Sequence, residues 1–470
     1  MDSVGMVASS SGRNIRVLVR SPEVELGSIL KIGDSYGIVA GMSYEEDEKI
    51  GSKQRLFAEV QVFGRLVEGR LRKVKKPITP YEKVFLAGKE ELEGILSVEE
   101  KVSIGLVYGT EARAFLKAGE FDRHMAVLAS TGAGKSYTTA NLIKEFSSLG
   151  LPVLIVDTHG EYSRLLSALA SETTMEVEVC TVQRSRQGFS ELKIPVSQLE
   201  PADFQHFIPM TEPQESALAM VLGQLPAEYV MEDIINGCSK LDPNVIHEGT
   251  VQALKRKMIA LGRMFKNVFD RHGTDIARMI EPGKVSIIDA SLASQGVRRA
   301  VISYISKELL DGRVNKVNEM PGNVVEYPLL LVVEEAHNYA GANLTHSCKR
   351  QLQRIASEGR KFGIGLCVVS QKPSKIDEEI LSQCNTGVYM HITNPNDKNH
   401  IRSSFESIND AIISDLDSLD VGECIIAGAM LDIPFLLCTV DRIKTGPKTG
   451  VRKFQFKKHL AEKEQEFKYV

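Results

Sequence analysis

The segment Ala129–Ser136, "ASTGAGKS", has the residue types needed to grip a polyphosphate. Gly134, Lys135 and Ser136 fill the last three places of the pattern G-x-x-x-x-G-K-[ST], while Ala129 stands where its first glycine is expected. Thr131, Gly132, Ala133 and Gly134 would curl so that successive backbone N–H groups point at phosphate oxygens. Lys135 would reach the β- and γ-phosphates, the Ser136 hydroxyl would ligate Mg²⁺, and Tyr137 would continue the helix whose positive end faces the anion. A second stretch, "LLLVVEEAHNY", runs through five apolar residues, Leu329–Val333, into Glu334 and Glu335. Glu334, one methylene longer than the usual Asp, is the candidate to hold the magnesium, and Glu335 the candidate base for an attacking water. A third, "IGLCVVSQKPS", ends its apolar run at Gln371, whose amide could sense the γ-phosphate or position the water. No N-K-x-D element for reading guanine accompanies these stretches, so ATP is the expected nucleotide and Mg²⁺ its cofactor.

These residues need strands and helices to carry them. "MAVLA" reads as a buried strand entering the loop, and "SYTTANLIKEF" as a helix leaving it. From residue 121 apolar strands alternate with amphipathic helices. Strands are expected at Met125–Ser130, Val153–Asp157, Glu178–Gln183, Val285–Asp289, Leu329–Glu334, Ile364–Gln371, Val388–Thr393 and Glu423–Gly428. That alternation predicts βαβ units and a largely parallel sheet. Strand signals vanish between Gln198 and Glu281, where "PQESALAMVLGQL" and "TVQALKRKMIALGRMF" read as an all-helical insertion. Before residue 96, short runs rich in Val, Ile and Phe ("IRVLVR", "GSILKIG", "YGIVAGMSY", "RLFAEVQVFGRL") predict a small barrel that binds or assembles. The expected divisions are a disordered tail 1–13, the barrel 14–95, a core in two parts, 96–197 and 283–441, the insertion 198–282, and a basic arm 442–470.

Composition sets the outer limits. At 470 residues, with 43% hydrophobic and 25% charged side chains, the chain has the make-up of a soluble protein of two or three units. Its 57 basic and 61 acidic side chains leave a formal charge of -4, which argues against a surface coated in positive charge but not against a local groove or channel for nucleic acid. The seven cysteines form no C-x-x-C pair and several lie in apolar runs, so reduced core thiols are expected rather than a zinc site or disulfides. No signal peptide and no apolar run of about 20 residues is visible, so a cytoplasmic location without membrane contact is expected. The last thirty residues hold nine Lys/Arg against four Asp/Glu and read either as a solvated tail or as a partner-binding arm.

Taken in order, "RHMAVLASTGAGKSYTTANL", "VLIVDTHGEYS", "LLLVVEEAHNY" and "SEGRKFGIGLCVVSQKPSKIDEEILSQCNT" resemble the HerA family of the FtsK–HerA ATPases, over residues 100–445. The resemblance implies a RecA-like P-loop motor preceded by a HAS-barrel-like domain. It implies a homo-hexameric ring that translocates on double-stranded DNA in end resection and repair, with a NurA-type nuclease and the Mre11–Rad50 machinery as partners. It also makes Arg360 the candidate arginine finger acting in a neighbouring subunit, and assigns Arg123, Lys444 and Thr445 to nucleotide contacts. Lys372 and Lys375, after Gln371, are candidates to face DNA in the channel, whereas the Lys255–Lys266 cluster reads as a solvated helix face. Two alternatives stay open: a ring that only scaffolds or activates a nuclease, for example in defence, and a pump for single-stranded or conjugative DNA.

Overall fold

The computed structural model describes residues 2–46, 54–68, 70–74, 76–171, 175–242, 244–405 and 408–441. Seven strands open the chain: β1 (Gly5–Ser11), β2 (Asn14–Val19), β3 (Ile29–Ile32), β4 (Ser35–Glu46), β5 (Gln54–Val67), β6 (Arg70–Arg72) and β7 (Lys83–Leu86). Their order β2-β1-β7-β3-β4-β5 closes through a β2–β5 pairing, giving a six-stranded barrel with β6 attached outside the ring. Closure leaves no free edge within the ring, which is how a small sheet avoids pairing with other chains.

The expected disordered tail over residues 1–13 is corrected here, because β1 lies inside it. Gly5 and Val7 pair with Val19 and Val17 of β2, and Gly5 also pairs with Val84 of β7. Only Val4 and Val7 in this stretch send side chains into the barrel core. The serines contribute backbone hydrogen bonds, which composition does not reveal.

The remaining elements follow in chain order: α1 (Lys89–Ile95), β8 (Lys101–Val107), β9 (Arg113–Lys117), β10 (Met125–Leu128), α2 (Lys135–Ser148), β11 (Val153–Asp157), α3 (Glu161–Ala170), β12 (Glu176–Thr181), β13 (Ser190–Glu191) and β14 (Ile194–Pro195). Next come α4 (Glu212–Leu222), α5 (Met231–Cys238), α6 (Glu248–Met264), β15 (Phe269–Asp270), β16 (Lys284–Asp289), α7 (Gln295–Val317), β17 (Leu329–Glu334) and α8 (Ser347–Glu358). The chain continues through β18 (Ile364–Ser370), α9 (Glu378–Gln383), β19 (Thr386–Tyr389), α10 (Pro395–Ser404), α11 (Asp410–Ser414), β20 (Glu423–Gly428) and β21 (Phe435–Val440).

One twelve-stranded sheet runs β13-β12-β16-β11-β17-β18-β10-β19-β20-β21-β8-β9. The pairings from β13 to β19 are parallel, and those from β19 to β9 are antiparallel. The central strands β10, β11, β17 and β18 are buried along their whole length, as expected for a parallel sheet covered by helices on both faces. Such strands end together, so the loops at their carboxyl ends form one surface. The fold is therefore a RecA-like P-loop motor with a barrel at its start.

Between Gln198 and Glu281 the helices α4, α5 and α6 appear as expected, but the region is not wholly helical. β15 pairs with β14 in a two-residue ladder at its base, backed by Phe207, Phe265 and Phe269 with ring centroids 5.1–5.4 Å apart. Two residues are too few to show a period of two. The barrel and motor share a core: Val39 of β4 faces the barrel interior, while its neighbours Ile38 and Ala40 pack with the motor's apolar residues. A Cβ on Gly27 would meet Leu437 of β21 at 2.8 Å, so the two units touch closely. Residues 442–470, the expected basic arm, lie outside the described residues. No helix among the described residues is long and apolar enough to cross a membrane.

Candidate active site

β10 sits between β18 and β19, and its carboxyl end opens into the phosphate-binding loop. Ala129 and Ser130 are still tied to the flanking strand ends, donating from their backbone N–H groups to Ser370 O (3.2 Å) and His391 O (2.8 Å). Ala129 is buried and keeps an ordinary negative φ, so the loop's first position needs no glycine here. Gly132 and Gly134 do need one, with φ of 85° and 105°. Gly134 is also the residue preceding α2, so Lys135 and Ser136 occupy its first turn, where free N–H groups and the helix dipole favour an anion.

Lys135 and Glu335 meet across the sheet: Lys135 Nζ donates to Glu335 Oε1 at 2.5 Å, with side chains 12% and 5% exposed. Glu335 has φ 48°, an unusual value for a residue with a side chain, and this turn swings its carboxylate off β17 toward the loop. Its second oxygen, Oε2, makes no hydrogen bond of its own but lies 3.2 Å from His337 Nδ1, which is also 3.1 Å from Ser370 Oγ. Burial alone would raise the Glu335 pKa, but His337 and Lys135 outweigh it and hold the group down at about 2. A carboxylate held this low is ionised but a weak base, and its basicity rises only when the lysine leaves it.

Glu334 is engaged differently from the expectation that it faces the magnesium. Its Oε2 accepts hydrogen bonds from the N–H groups of Thr158 (2.7 Å) and His159 (3.1 Å), in the turn between β11 and α3. Burial, with Asp157 adding to it, pushes Glu334 up to about 8. The methylene that distinguishes Glu from Asp carries the carboxylate across to the neighbouring strand's turn. The Ser136 hydroxyl instead donates to Glu161 Oε2 at 2.6 Å. Sequence reading passed over Glu161 and His337. Both sit within four residues of a buried acid that ends an apolar strand, which is the signal that was available.

Gln371 follows β18, and its Oε1 accepts from Thr131 Oγ1 at 2.5 Å, joining the third stretch to the tip of the loop. Lys135, Ser136, Thr131, Glu335 and Gln371 thus come together at the carboxyl ends of β10, β17 and β18. Arg123 and Arg360 do not join them. Arg123 precedes β10 and pairs with Glu120 at 2.5 Å, and Arg360 precedes β18, exposed and without an ion pair among the described residues. Both lie at the opposite end of the same strands, and β18 alone spans about 23 Å at ~3.3 Å per residue. Between them sits buried His124, with φ 57°: its Nδ1 accepts from Leu366 N (3.0 Å) and its Nε2 faces Ala356 O (2.9 Å). Tyr137, Lys372 and Lys375 are exposed, whereas Lys444 and Thr445 fall outside the described residues. The seven cysteines are all free and buried.

The chain has relatives among known proteins. A family model described as "Helicase HerA, central domain" matches residues 102–309. The DNA double-strand break repair helicase HerA of Saccharolobus solfataricus is 32% identical over 361 residues, covering 74% of this chain and 70% of that protein. The protein of the same name from Pyrococcus furiosus is 27% identical over 468 residues, covering 90% and 83%. Among solved structures, VirB4 of Thermoanaerobacter pseudethanolicus aligns with a TM-score of 0.54 at 16% identity, over 74% of this chain and 98% of that one. The bacterial conjugative coupling protein TrwB aligns with 0.53 at 11% identity, over 78% and 94%. At those identities the likeness speaks for the fold alone.

Proposed function

The chain belongs to the HerA helicase family, and on that premise we propose that it is a ring-forming, ATP-driven translocase on double-stranded DNA, acting in end repair with a NurA-type nuclease. That it is an ATP-hydrolysing DNA helicase or translocase follows from the family. The ring, the duplex track and the nuclease are the further reading.

The observation that carries it is the division of the site between two ends of one sheet. Lys135, Glu335 and Gln371 converge at the carboxyl ends of β10, β17 and β18, while Arg123 and Arg360 stand at the amino ends of β10 and β18. An arginine so far from its own loop can serve phosphoryl transfer only by reaching into another copy. A closed ring provides that arrangement at every interface.

In this reading Lys135 leaves Glu335 for the β- and γ-phosphates as ATP binds. Glu335, relieved of the lysine and steadied by His337, accepts the proton of the attacking water. Gln371 turns from Thr131 to the γ-phosphate or the water, and the neighbouring Arg360 stabilises the charge that develops there. Magnesium fits the donors present, since Ser136 Oγ and a carboxylate oxygen lie 2.6 Å apart and both are hard oxygen ligands. When bound with ATP it would neutralise negative charge on the β- and γ-phosphates. Exposed Lys372 and Lys375, in the loop after Gln371, would touch DNA phosphates and report hydrolysis to the track.

The test is ATP hydrolysis measured without DNA, with single-stranded DNA and with blunt duplex. Stimulation by duplex is expected. Stimulation by single strands alone would favour a single-strand pump, and an assembled ring indifferent to both would favour a scaffold.

A further inference from the structure

We propose that Glu161, together with Ser136, holds the divalent cation of this site, and that Glu334 serves to position the turn that carries Glu161. The proposal rests on the reading of the site as one that binds ATP with a metal.

Glu161 is the first residue of α3, and the turn leading to it is pinned at every step. The N–H groups of Thr158 and His159 both donate to Glu334 Oε2. Those of Gly160 (2.8 Å) and Glu161 (3.2 Å) donate to Asp157 Oδ1, and that of Ser163 (2.8 Å) to Asp157 Oδ2. The Thr158 hydroxyl donates to Glu334 O at 3.0 Å and lies 2.9 Å from Tyr339 Oη. Gly160 has φ 72°, and a Cβ there would meet Ser291 Oγ at 3.2 Å, so the turn has one available shape.

Asp157 is 0% and Glu334 1% exposed. Burying two acids is costly, which is why burial raises the pKa of both, whereas a surface Ser or Asp caps a helix for ~1 kcal/mol of gain. Capping α3 does not require such a scaffold. What the scaffold accomplishes is to hold the exposed Glu161 carboxylate 2.6 Å from the hydroxyl that the loop reserves for metal. Glu334, with Oε2 committed to two amides, is tied to that scaffold. Magnesium takes one or two carboxylates beside phosphate oxygens and water, and Glu161 supplies that carboxylate.

Glu161→Gln removes the charge at an exposed position and leaves the pinned backbone in place, so it folds. The probe is Mn²⁺ titrated into ADP-loaded protein, with free Mn²⁺ read from its paramagnetic resonance signal. Binding of a fluorescent ATP analogue with and without Mg²⁺ is measured alongside. Glu161→Gln should weaken Mn²⁺ by about 10-fold or more, the range for losing a supporting ligand, while metal-free nucleotide binding stays at the wild-type level. Glu161→Asp should fall between the two. Glu334→Gln should lower the melting temperature and shift Mn²⁺ affinity less than Glu161→Gln does. Wild-type Mn²⁺ affinity in Glu161→Gln, or its loss in a folded Glu334→Gln alone, would overturn the assignment and leave the ATPase reading standing. A wild-type protein whose nucleotide binding ignores divalent cations would overturn both.

Discussion

Lys135 is expected to act on phosphate, and its ammonium is bound to Glu335, whose side chain is 5% exposed. Removing the lysine alone leaves a buried carboxylate with the His337 ring as its remaining polar neighbour. Lys135→Ala should therefore abolish hydrolysis and also lower the stability of the nucleotide-free protein by about 3 kcal/mol, since breaking one side of a buried pair is costly. Adding Glu335→Gln should recover most of that loss, as read by urea unfolding in a double-mutant cycle. Strict additivity of the two changes would mean that the pair is not coupled. Glu335→Gln by itself should bind ATP and turn over 10²–10⁴-fold more slowly, the usual worth of a positioned base.

His124 offers a pH test at the same scale. Burial, with the Arg360 charge adding to it, lowers its pKa from the ordinary 6.5 to about 4. The folded protein thus keeps the ring neutral where the unfolded chain would protonate it. Its contribution is fully present above pH 6.5 and is lost as pH falls from there toward 4. The difference amounts to about 3 kcal/mol. His206, lowered to about 4 by burial, works in the same direction. Unfolding free energy should therefore drop between pH 7 and 4.5, and His124→Gln should show a shallower drop. An unchanged slope would show that His124 does not carry it.

Among the elements, β1 is the least expected and the easiest to remove. Deleting residues 1–11 would open the barrel between β2 and β7 and uncover Val17 and Val84. Amide hydrogen exchange should then accelerate along β2 and β7, while β10 and β17 keep their protection. Equal protection in the shortened chain would mean that the barrel closes without its first strand. A second element test concerns β18, whose Gly365 lies against the segment that carries Arg123. A Cβ there would sit 2.5 Å from Phe121 O, a backbone atom that cannot move aside alone. Gly365→Ala should cost ~1–3 kcal/mol, the usual range for overpacking, and should weaken hydrolysis through displaced arginines while leaving ATP binding intact.

For the whole molecule, the decisive question is whether two copies complete one site. Arg360→Ala subunits should bind ATP and fail to hydrolyse it. Mixing them with Lys135→Ala subunits should restore turnover, because one interface then pairs an intact loop with an intact arginine. Subunit exchange is verified first with labelled protein. No recovery at any ratio, or wild-type turnover by Arg360→Ala alone, would remove the trans role. Removing the barrel is a poorer experiment than its small size invites. Ile38, Ala40 and Phe63 belong to the motor's core, so a cut after it would strip apolar cover from the motor as well as any docking surface. The formal charge of -4 is compatible with a duplex held inside a ring, where a few lysines face phosphate and the outside stays near neutral.

The P-loop, the Glu334–Glu335 pair and Gln371 were legible in the sequence because each follows a run of apolar residues. A buried parallel strand has to be apolar throughout, and the polar residue that ends it has to lie at the sheet's carboxyl edge. The same logic located eight strands of the motor and the helical insertion. It missed β1, whose serines pair through backbone alone, β13, β14 and β15, which are too short to have a period, and β8, β9 and β21, which lie in the antiparallel part of the sheet outside the βαβ alternation. It also did not resolve which acid does what. That depends on neighbours distant in the chain: Glu334 reaches Thr158 and His159, Ser136 reaches Glu161, and His337 lies between Glu335 and Ser370. Residue type and spacing specify where a side chain leaves its strand. Only tertiary packing decides which amide, hydroxyl or charge it meets, because a hydrogen bond is lost within an ångström and the sequence carries no distances.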